Sequence, residues 1–232
     1  MTVLIRIICL VSGYFCGLLE TGYIYGKLKG IDIRNYGSGN SGTTNALRVL
    51  GKKAGLVVFI GDFFKAAIPC LIVRFITQGL YPDRFLLFVL YIGLGVVMGH
   101  NFPFYLKFKG GKGVAATAGT IFGLFIPLMI LILLVLFVAV VAATKYVSLG
   151  SILLMIEFFI TYVVMALNKM LCFDPNGSSR SAMIESFVLA GIFAIMSIYK
   201  HKANIIRLIH GEENKLGKKK NNIITEASFP VN

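Results

Sequence analysis

Long apolar runs alternate with short polar segments along most of this chain. The polar segments are rich in glycine, lysine and asparagine, and the apolar runs cover residues 3–25, 54–80, 85–100, 114–143, 147–167 and 181–199. A run of about 18 or more apolar residues can cross a hydrocarbon core roughly 30 Å thick as a helix. The pattern therefore predicts an all-α integral membrane protein built as a helical bundle.

The fourth run, residues 114–143, decides the topology. It forms either one tilted helix of about 45 Å or two short segments that turn near Gly123 and Pro127. Basic residues in short loops favour the cytoplasmic side. Two segments place most of the 23 lysines and arginines on inner loops, whereas one segment would move the basic C-terminal tail outside. The sequence thus predicts seven segments, an external N-terminus, and a cytoplasmic C-terminus with the polar loops 27–53 and 101–113 on the same side.

Composition supports a membrane protein and narrows its ligands. The chain is 57% hydrophobic and only 14% charged, while soluble domains are about half apolar and a quarter charged. The net charge of +13 would suggest nucleic acid in a soluble protein, but no sizeable soluble domain separates these runs. We therefore expect anionic small ligands and membrane lipid, with no nucleic acid and no obligate protein partner. The four cysteines lack metal-binding spacing, so no metal or cofactor is expected.

The first polar loop contains the glycine-rich stretch "GSGNSGTTN". Glycine permits positive φ, so successive N–H groups can converge on a phosphate oxygen. The stretch also offers hydrogen-bonding side chains, and Arg48 follows with a guanidinium that can bind two phosphate oxygens. The candidate binding residues are Ser38, Gly39, Asn40, Gly42 and Asn45. A dinucleotide fingerprint is excluded because a membrane span precedes the loop, although a flexible connector remains an alternative.

The second polar loop belongs to "GHNFPFYLKFKGGKGVAATAG" and repeats this chemistry. Lys112 is flanked by glycines at Gly110, Gly111 and Gly113. A Walker A loop is excluded, since Leu106 replaces its first glycine and no Ser or Thr follows the lysine. Lys112 is therefore predicted to bind phosphate without a metal, and His100 to orient the loop. The alternative is a basic loop that only contacts anionic lipid headgroups.

The third polar stretch, "HKANIIRLIHGEENKLG", places His201, Asn204 and Arg207 at intervals of three residues. On a helix they fall within an arc of about 120°. A histidine with a pKa near 6.5 suits a general base, whereas a solvated helix end is the alternative. Two glycine loops and one polar helix face on one side of a bundle suggest two phosphorylated substrates, or one substrate and a phosphate leaving group.

These stretches, with "KYVSLGSI", resemble the bacterial acyl-phosphate:glycerol-3-phosphate acyltransferase (PlsY) family over residues 20–217. The resemblance implies seven segments in the bacterial plasma membrane and transfer of an acyl group from acyl phosphate to glycerol 3-phosphate. Two departures are Thr43, where alanine is usual, and "GLLETGY" at residues 17–23, which replaces a GSIP-like segment. Residues 1–217 are expected to form one membrane-embedded domain and 218–232 a mobile tail.

The resemblance also implies roles for individual residues. The first phosphate site would comprise Ser38, Gly39, Asn40, Asn45 and Arg48. Glycerol phosphate would be held by Gly110, Gly111, Lys112 and Gly113. His201 and Asn204 match the polar pair of the third motif, Glu213 its structural acid, and Ser148 a polar residue beside the site.

Two other activities compete with this interpretation. An acyltransferase using acyl-CoA or acyl carrier protein is expected to carry an H-x-x-x-x-D pair, and none of the three histidines has an aspartate five residues later. An organophosphate anion transporter would also need anion sites in a bundle. The sequence shows no inverted repeat, and all three polar stretches fall on one predicted face.

Overall fold

The computed structural model of this chain describes residues 2–217, so the tail predicted for residues 218–232 lies outside the described residues. The described part is all-helical, as predicted. Its helices in chain order are α1 (Thr2–Gly17), α2 (Thr21–Leu28), α3 (Thr43–Leu80), α4 (Phe85–Asn101), α5 (Val114–Leu124), α6 (Pro127–Thr144), α7 (Val147–Leu167), α8 (Arg180–Lys200) and α9 (Lys202–Ile209).

The first predicted span, residues 3–25, is divided into α1 and α2. Helix α1 packs so closely on α4 that a Cβ on Gly17 would lie 2.1 Å from the Val96 carbonyl oxygen. The chain then turns at residues 18–20, and the Glu20 side chain is completely buried. The predicted first span is retained as one segment, Thr2–Leu28, that is long and apolar enough to cross a membrane. The turn inside it brings a carboxylate into the bundle.

Helix α3 begins inside the segment predicted as the loop 27–53. Its first turns bury Ala46 and Val49, which share one helix face. Gly51 then adopts a left-handed φ of 87° and kinks the helix before it continues to Leu80. The predicted loop is therefore too long, because residues 43–50 already form a short amphipathic helical segment before the kink.

The break predicted within residues 114–143 is confirmed. Helix α5 ends at Leu124, Phe125 adopts a positive φ of 51°, and Pro127 starts α6. Proline suits the first turn of a helix because its missing N–H has no intrahelical partner there. Helix α5 packs tightly on α3, while α6 packs mainly along α7. The two helices therefore diverge after the break.

Within residues 2–217, six helical segments are long and apolar enough to cross a membrane, and α5 is shorter. The chain is a multi-pass integral membrane protein. Two groups of its intramembrane charges are paired, as expected where an isolated charge is costly. Asp62 and Lys65 on α3 form one such pair, with 2.9 Å between Oδ1 and Nζ. Glu185 accepts two hydrogen bonds from Arg6, at 2.7 and 2.8 Å.

Candidate functional site

A cavity of about 540 Å³ lies where the three polar stretches meet, and it continues between α3, α5, α6 and α7. One end is polar and the other apolar. Among the predicted site residues, those that line it are Ser38, Asn40, Gly42, Asn45, Arg48, His100, Lys112, Gly113, Ser148, His201, Asn204, Arg207 and Glu213. Gly39, Gly110 and Gly111 are not in its wall. The fold therefore brings most of the predicted residues together from positions far apart in the chain.

Asn45 shapes the first glycine loop, residues 36–42, from inside. Its Oδ1 accepts a hydrogen bond from the Ser38 N–H at 2.8 Å, and its Nδ2 donates to three backbone carbonyls within 3.2 Å. This amide is fully occupied by the protein. Asn45 therefore supports the loop, and the structure gives no support to its predicted direct contact with phosphate.

Two glycine N–H groups of the first glycine loop also have protein acceptors. Gly39 N–H donates to the Tyr36 carbonyl and Gly42 N–H to Asn40 Oδ1. These two N–H groups are thus not available to a phosphate nest in this conformation. An anion would instead approach the N-terminus of α3, where Thr43 and Thr44 line the cavity. Arg48 lines the same part of the cavity.

The glycines of the second glycine loop, residues 101–113, pack against His100. A Cβ on Gly111 would lie 2.0 Å from His100 Nε2, and one on Gly110 would lie 2.0 Å from the His100 carbonyl oxygen. Their N–H groups donate to the backbone carbonyls of His100 and Asn101. Gly110 and Gly111 therefore let the loop close on His100, and their predicted contact with a ligand stays a prediction. This closure presents Lys112 and Gly113 to the cavity.

His201 lies at the junction of α8 and α9. Its Nδ1 is 2.8 Å from the Ser197 carbonyl oxygen, so Nδ1 carries a proton and Nε2 is free to accept one. Burial, with the nearby Lys112 charge, lowers the pKa of His201 to about 4. The imidazole is therefore neutral near pH 7.

A chain of polar contacts joins the second and third stretches. Lys112 Nζ donates to Asn204 Oδ1, and Asn204 Nδ2 donates to both oxygens of Glu213 at 3.2 Å. Arg207 Nε donates to Glu213 Oε2 at 2.9 Å. Glu213 thereby holds the amide and the guanidinium in place, which agrees with the structural role that the resemblance implied.

Ser148 has a free hydroxyl at the cavity wall. The residue is buried, and its Oγ has no hydrogen-bond partner within residues 2–217. A buried hydroxyl without a partner is costly unless a ligand or water completes it. Asp62 also lines this wall, in addition to its pair with Lys65. Its place on the second apolar run was the available signal, because ionisable residues within membrane spans are commonly functional.

Lys112 gives the site a distinctive pH dependence. Burial, together with the positive charge of Arg207, lowers the pKa of Lys112 from 10.5 to about 8. A lowered pKa means that the positive charge is lost at a lower pH than usual. We expect kcat/KM to fall as the pH rises through about 8, because this ratio reports the ionisation of the free enzyme.

The measurement is a kcat/KM profile from pH 6.5 to 10 for the anionic substrate. The second pKa of a phosphate monoester is about 6, so its ionisation is nearly complete by pH 8 and does not produce a decline above that pH. A profile that stays flat to pH 10 would show that the Lys112 charge does not govern binding or turnover.

The other end of the cavity is an apolar arm between α5 and α6. Its lining comes from four helices and comprises Phe59, Phe63, Ala115, Ala118, Ile121, Phe122, Ile130, Leu133, Leu134, Phe137, Val141 and Leu154. The side chains of Phe59 and Leu134 are 41% and 56% exposed at its border, where α3 and α6 face outward. An arm of this kind suits an aliphatic chain that arrives from lipid.

Comparisons with known proteins identify the family. The model of the family described as Glycerol-3-phosphate acyltransferase matches residues 7–211. A glycerol-3-phosphate acyltransferase of Acholeplasma laidlawii is 39% identical, covering 97% of this chain and 99% of that relative. The corresponding protein of Clostridioides difficile is 40% identical, with 92% and 97% covered.

Solved structures agree with these relatives. The chain is similar to the glycerol 3-phosphate form of PlsY (YgiH), an integral membrane glycerol 3-phosphate acyltransferase, with a TM-score of 0.76 and 33% identity over 91% of this chain and 96% of that one. The lysophosphatidic acid form of PlsY matches with a TM-score of 0.73 and 32% identity, over 91% and 95% of the two chains. The chain therefore belongs to the glycerol-3-phosphate acyltransferase family.

Proposed function

We propose that this acyltransferase moves a fatty acyl group from acyl phosphate to the 1-hydroxyl of sn-glycerol 3-phosphate. The products are 1-acyl-glycerol 3-phosphate (lysophosphatidate) and inorganic phosphate, which makes this the first acylation step of phospholipid synthesis. One observation carries the proposal: a single cavity joins a cationic polar end to an apolar arm at the lipid side. A donor with an anionic head and an aliphatic tail matches both ends.

The reaction needs neither a metal nor a covalent enzyme intermediate. The glycerol 1-hydroxyl oxygen forms a bond to the acyl carbonyl carbon, and the bond from that carbon to the phosphate oxygen breaks. Acyl phosphate is a mixed anhydride, so phosphate is a good leaving group. The hydroxyl proton passes to His201 Nε2 or to a phosphate oxygen of a substrate. Alignment of the two substrates can contribute about 7–11 kcal/mol in the best cases.

Charge neutralisation is the main task of the polar end. Each phosphate group carries about −1.5 to −2 near neutral pH, and two of them repel each other. We assign Arg48, Lys112 and Arg207 to offset this repulsion, since all three line the cavity. Asn204 can position the attacking hydroxyl through Oδ1, but its Nδ2 donates to both Glu213 oxygens and is not free for an oxyanion. The Ser148 hydroxyl, which has no partner within residues 2–217, completes a phosphate site.

The topology belongs to the same proposal. Counting α5 with the six longer helical segments gives seven crossings, which puts the two termini on opposite sides of the membrane. The basic residues of the loops and tail then favour an external N-terminus and a cytoplasmic C-terminus. Residues 1–217 then form one membrane-embedded domain in the bacterial plasma membrane. Its support is the convergence of both glycine loops and α9 on one cavity, which requires all three to lie at one membrane face.

The proposed donor is tested with purified protein in detergent. Palmitoyl phosphate and glycerol 3-phosphate should give stoichiometric phosphate release and 1-acyl-glycerol 3-phosphate, whereas palmitoyl-CoA should not replace the donor. Turnover with palmitoyl-CoA alone would refute the donor assignment. Uptake of labelled glycerol 3-phosphate into proteoliposomes without acyl phosphate would favour the transporter.

The apolar arm predicts a change in chain-length preference. Ala118 lines the arm on α5, so the substitution Ala118→Phe fills part of it. We expect the kcat/KM ratio of palmitoyl to octanoyl phosphate to fall about tenfold or more, because two or more methylene groups lose about 0.8 kcal/mol of burial each. The KM for glycerol 3-phosphate should not change.

Ala143→Phe is the matched control, since Ala143 is exposed on α6 and does not line the cavity. It should keep the wild-type chain-length profile. Equal profiles for Ala118→Phe and wild type would mean that the acyl chain does not occupy this arm.

A further inference from the structure

Glu20 is a completely buried carboxylate in the turn between α1 and α2. It does not line the cavity, yet its two oxygens reach toward both glycine loops. We propose that Glu20 is a positioning residue that sets the two substrate loops relative to each other. This inference rests on the proposed function for its readout, because it concerns how that site is assembled.

The first connection runs from Glu20 to the first glycine loop. Ser41 Oγ donates a hydrogen bond of 2.6 Å to Glu20 Oε2, and both side chains are buried. Ser41 immediately precedes Gly42, the residue before the N-terminus of α3. The Ser41 backbone is also held closely, since a Cβ on Gly22 would lie 1.7 Å from its carbonyl oxygen. A shift of Glu20 would therefore move the start of α3.

The second connection runs from Glu20 to the second glycine loop through His100. Glu20 Oε1 lies 2.8 Å from His100 Nδ1, on the opposite side of the ring from Nε2. Gly111 packs on Nε2 and donates its N–H to the His100 carbonyl oxygen at 3.1 Å. Lys112 directly follows Gly111, so the orientation of the His100 imidazole decides where the Lys112 ammonium group lies.

The Lys65 ammonium group, which also pairs with Asp62, helps to keep this carboxylate in place. Lys65 Nζ lies 2.8 Å from His100 Nδ1 and 3.9 Å from Glu20 Oε1. It also contacts Asp62 Oδ1 at 2.9 Å and donates to the Leu19 carbonyl oxygen at 2.7 Å. A buried cluster of two carboxylates, a lysine and a histidine has few alternative arrangements, because each displaced charge loses its partner. The cluster is therefore a rigid support beneath both loops.

The connections predict different kinetic effects for two variants. Ser41→Ala breaks only the link to the first glycine loop, so KM should rise for the substrate bound at α3, which we assign as acyl phosphate. Glu20→Gln weakens both links and should raise KM for acyl phosphate and for glycerol 3-phosphate. Misplacement by about 1 Å can cost on the order of a hundredfold in rate. We therefore expect kcat/KM to fall by about ten- to a hundredfold, with the raised KM contributing to the loss.

Glu185→Gln is the matched control. Glu185 is another intramembrane carboxylate and pairs with Arg6 and Tyr91, away from both loops. If Glu20 only stabilised the bundle, both glutamine variants would reduce the amount of active enzyme and leave each KM unchanged. Positioning instead requires raised KM values in Glu20→Gln and wild-type values in Glu185→Gln, measured at equal folded protein by size-exclusion chromatography.

The measurement separates this inference from the proposed function. Wild-type protein without turnover of palmitoyl phosphate and glycerol 3-phosphate would overturn the proposed function. Active wild type with unchanged KM values in Glu20→Gln and Ser41→Ala would overturn the positioning role alone. If Glu20→Gln fails to fold, Ser41→Ala decides between the outcomes. A KM that rises for acyl phosphate but not for glycerol 3-phosphate supports the link between Glu20 and the first glycine loop. An unchanged KM for acyl phosphate refutes that link.

Discussion

The substitution His201→Gln is expected to lower kcat by about 10²- to 10⁴-fold, the usual contribution of a general base. In the wild-type protein, the His201 Nδ1 proton is directed to the Ser197 carbonyl oxygen, which leaves Nε2 as the acceptor. The pKa of about 4, caused by burial and by Lys112, keeps this nitrogen unprotonated at neutral pH. Bound phosphates bring negative charge that stabilises the imidazolium as it forms. Glutamine retains polar volume but cannot take up the proton.

Steady-state kinetics with glycerol 3-phosphate as the varied substrate check this expectation. The KM should change little, since other groups bind the phosphate. His210→Gln is the control, because His210 is exposed at the end of α9. A normal kcat in His201→Gln would assign the proton to a substrate phosphate oxygen and remove His201 from the chemistry.

The substitution Lys112→Met is expected to lower kcat/KM by about 10²- to 10³-fold, the range observed when one preorganised group of an electrostatic site is removed. Lys112 donates to Asn204 and lines the cavity together with Arg48 and Arg207. Methionine keeps a similar side-chain length but removes the charge and the donors. The Asn204 amide oxygen also loses its donor, so its position relative to Glu213 should relax.

Lys109→Met provides the control within the same loop. Lys109 is exposed and does not line the cavity, so this variant loses an equal charge without loss at the site. If both variants lost activity equally, the loop would act through general attraction of anions to the membrane surface. High salt would then reduce wild-type activity to the same extent, because surface charges are screened.

Several features of the fold were readable from local patterns. The apolar runs predicted the membrane helices, and Gly123 with Pro127 predicted the break between α5 and α6, which the structure contains. The spacing of three also predicted that His201, Asn204 and Arg207 share a face, and all three line the cavity. Such predictions succeed because helix length, helix breaking and side-chain direction depend on neighbouring residues.

The roles of the glycine loops were less predictable. Asn45, Gly110 and Gly111 have suitable chemistry for phosphate, yet the structure uses their polar groups to build the loops. Residue type shows that a donor exists, whereas its availability depends on acceptors elsewhere in the fold. Glu20 illustrates the same limit, since its partners Ser41 and His100 lie 21 and 80 positions further along the chain.

The sequence by itself determined that this is a membrane helical bundle with three polar segments suited to phosphate, because hydropathy and helical period are local properties. Only the tertiary structure decided which donors remain free for a ligand, where the apolar arm runs, and how a buried carboxylate connects the two loops. Those features arise from packing between distant segments, where each buried polar group must find a partner.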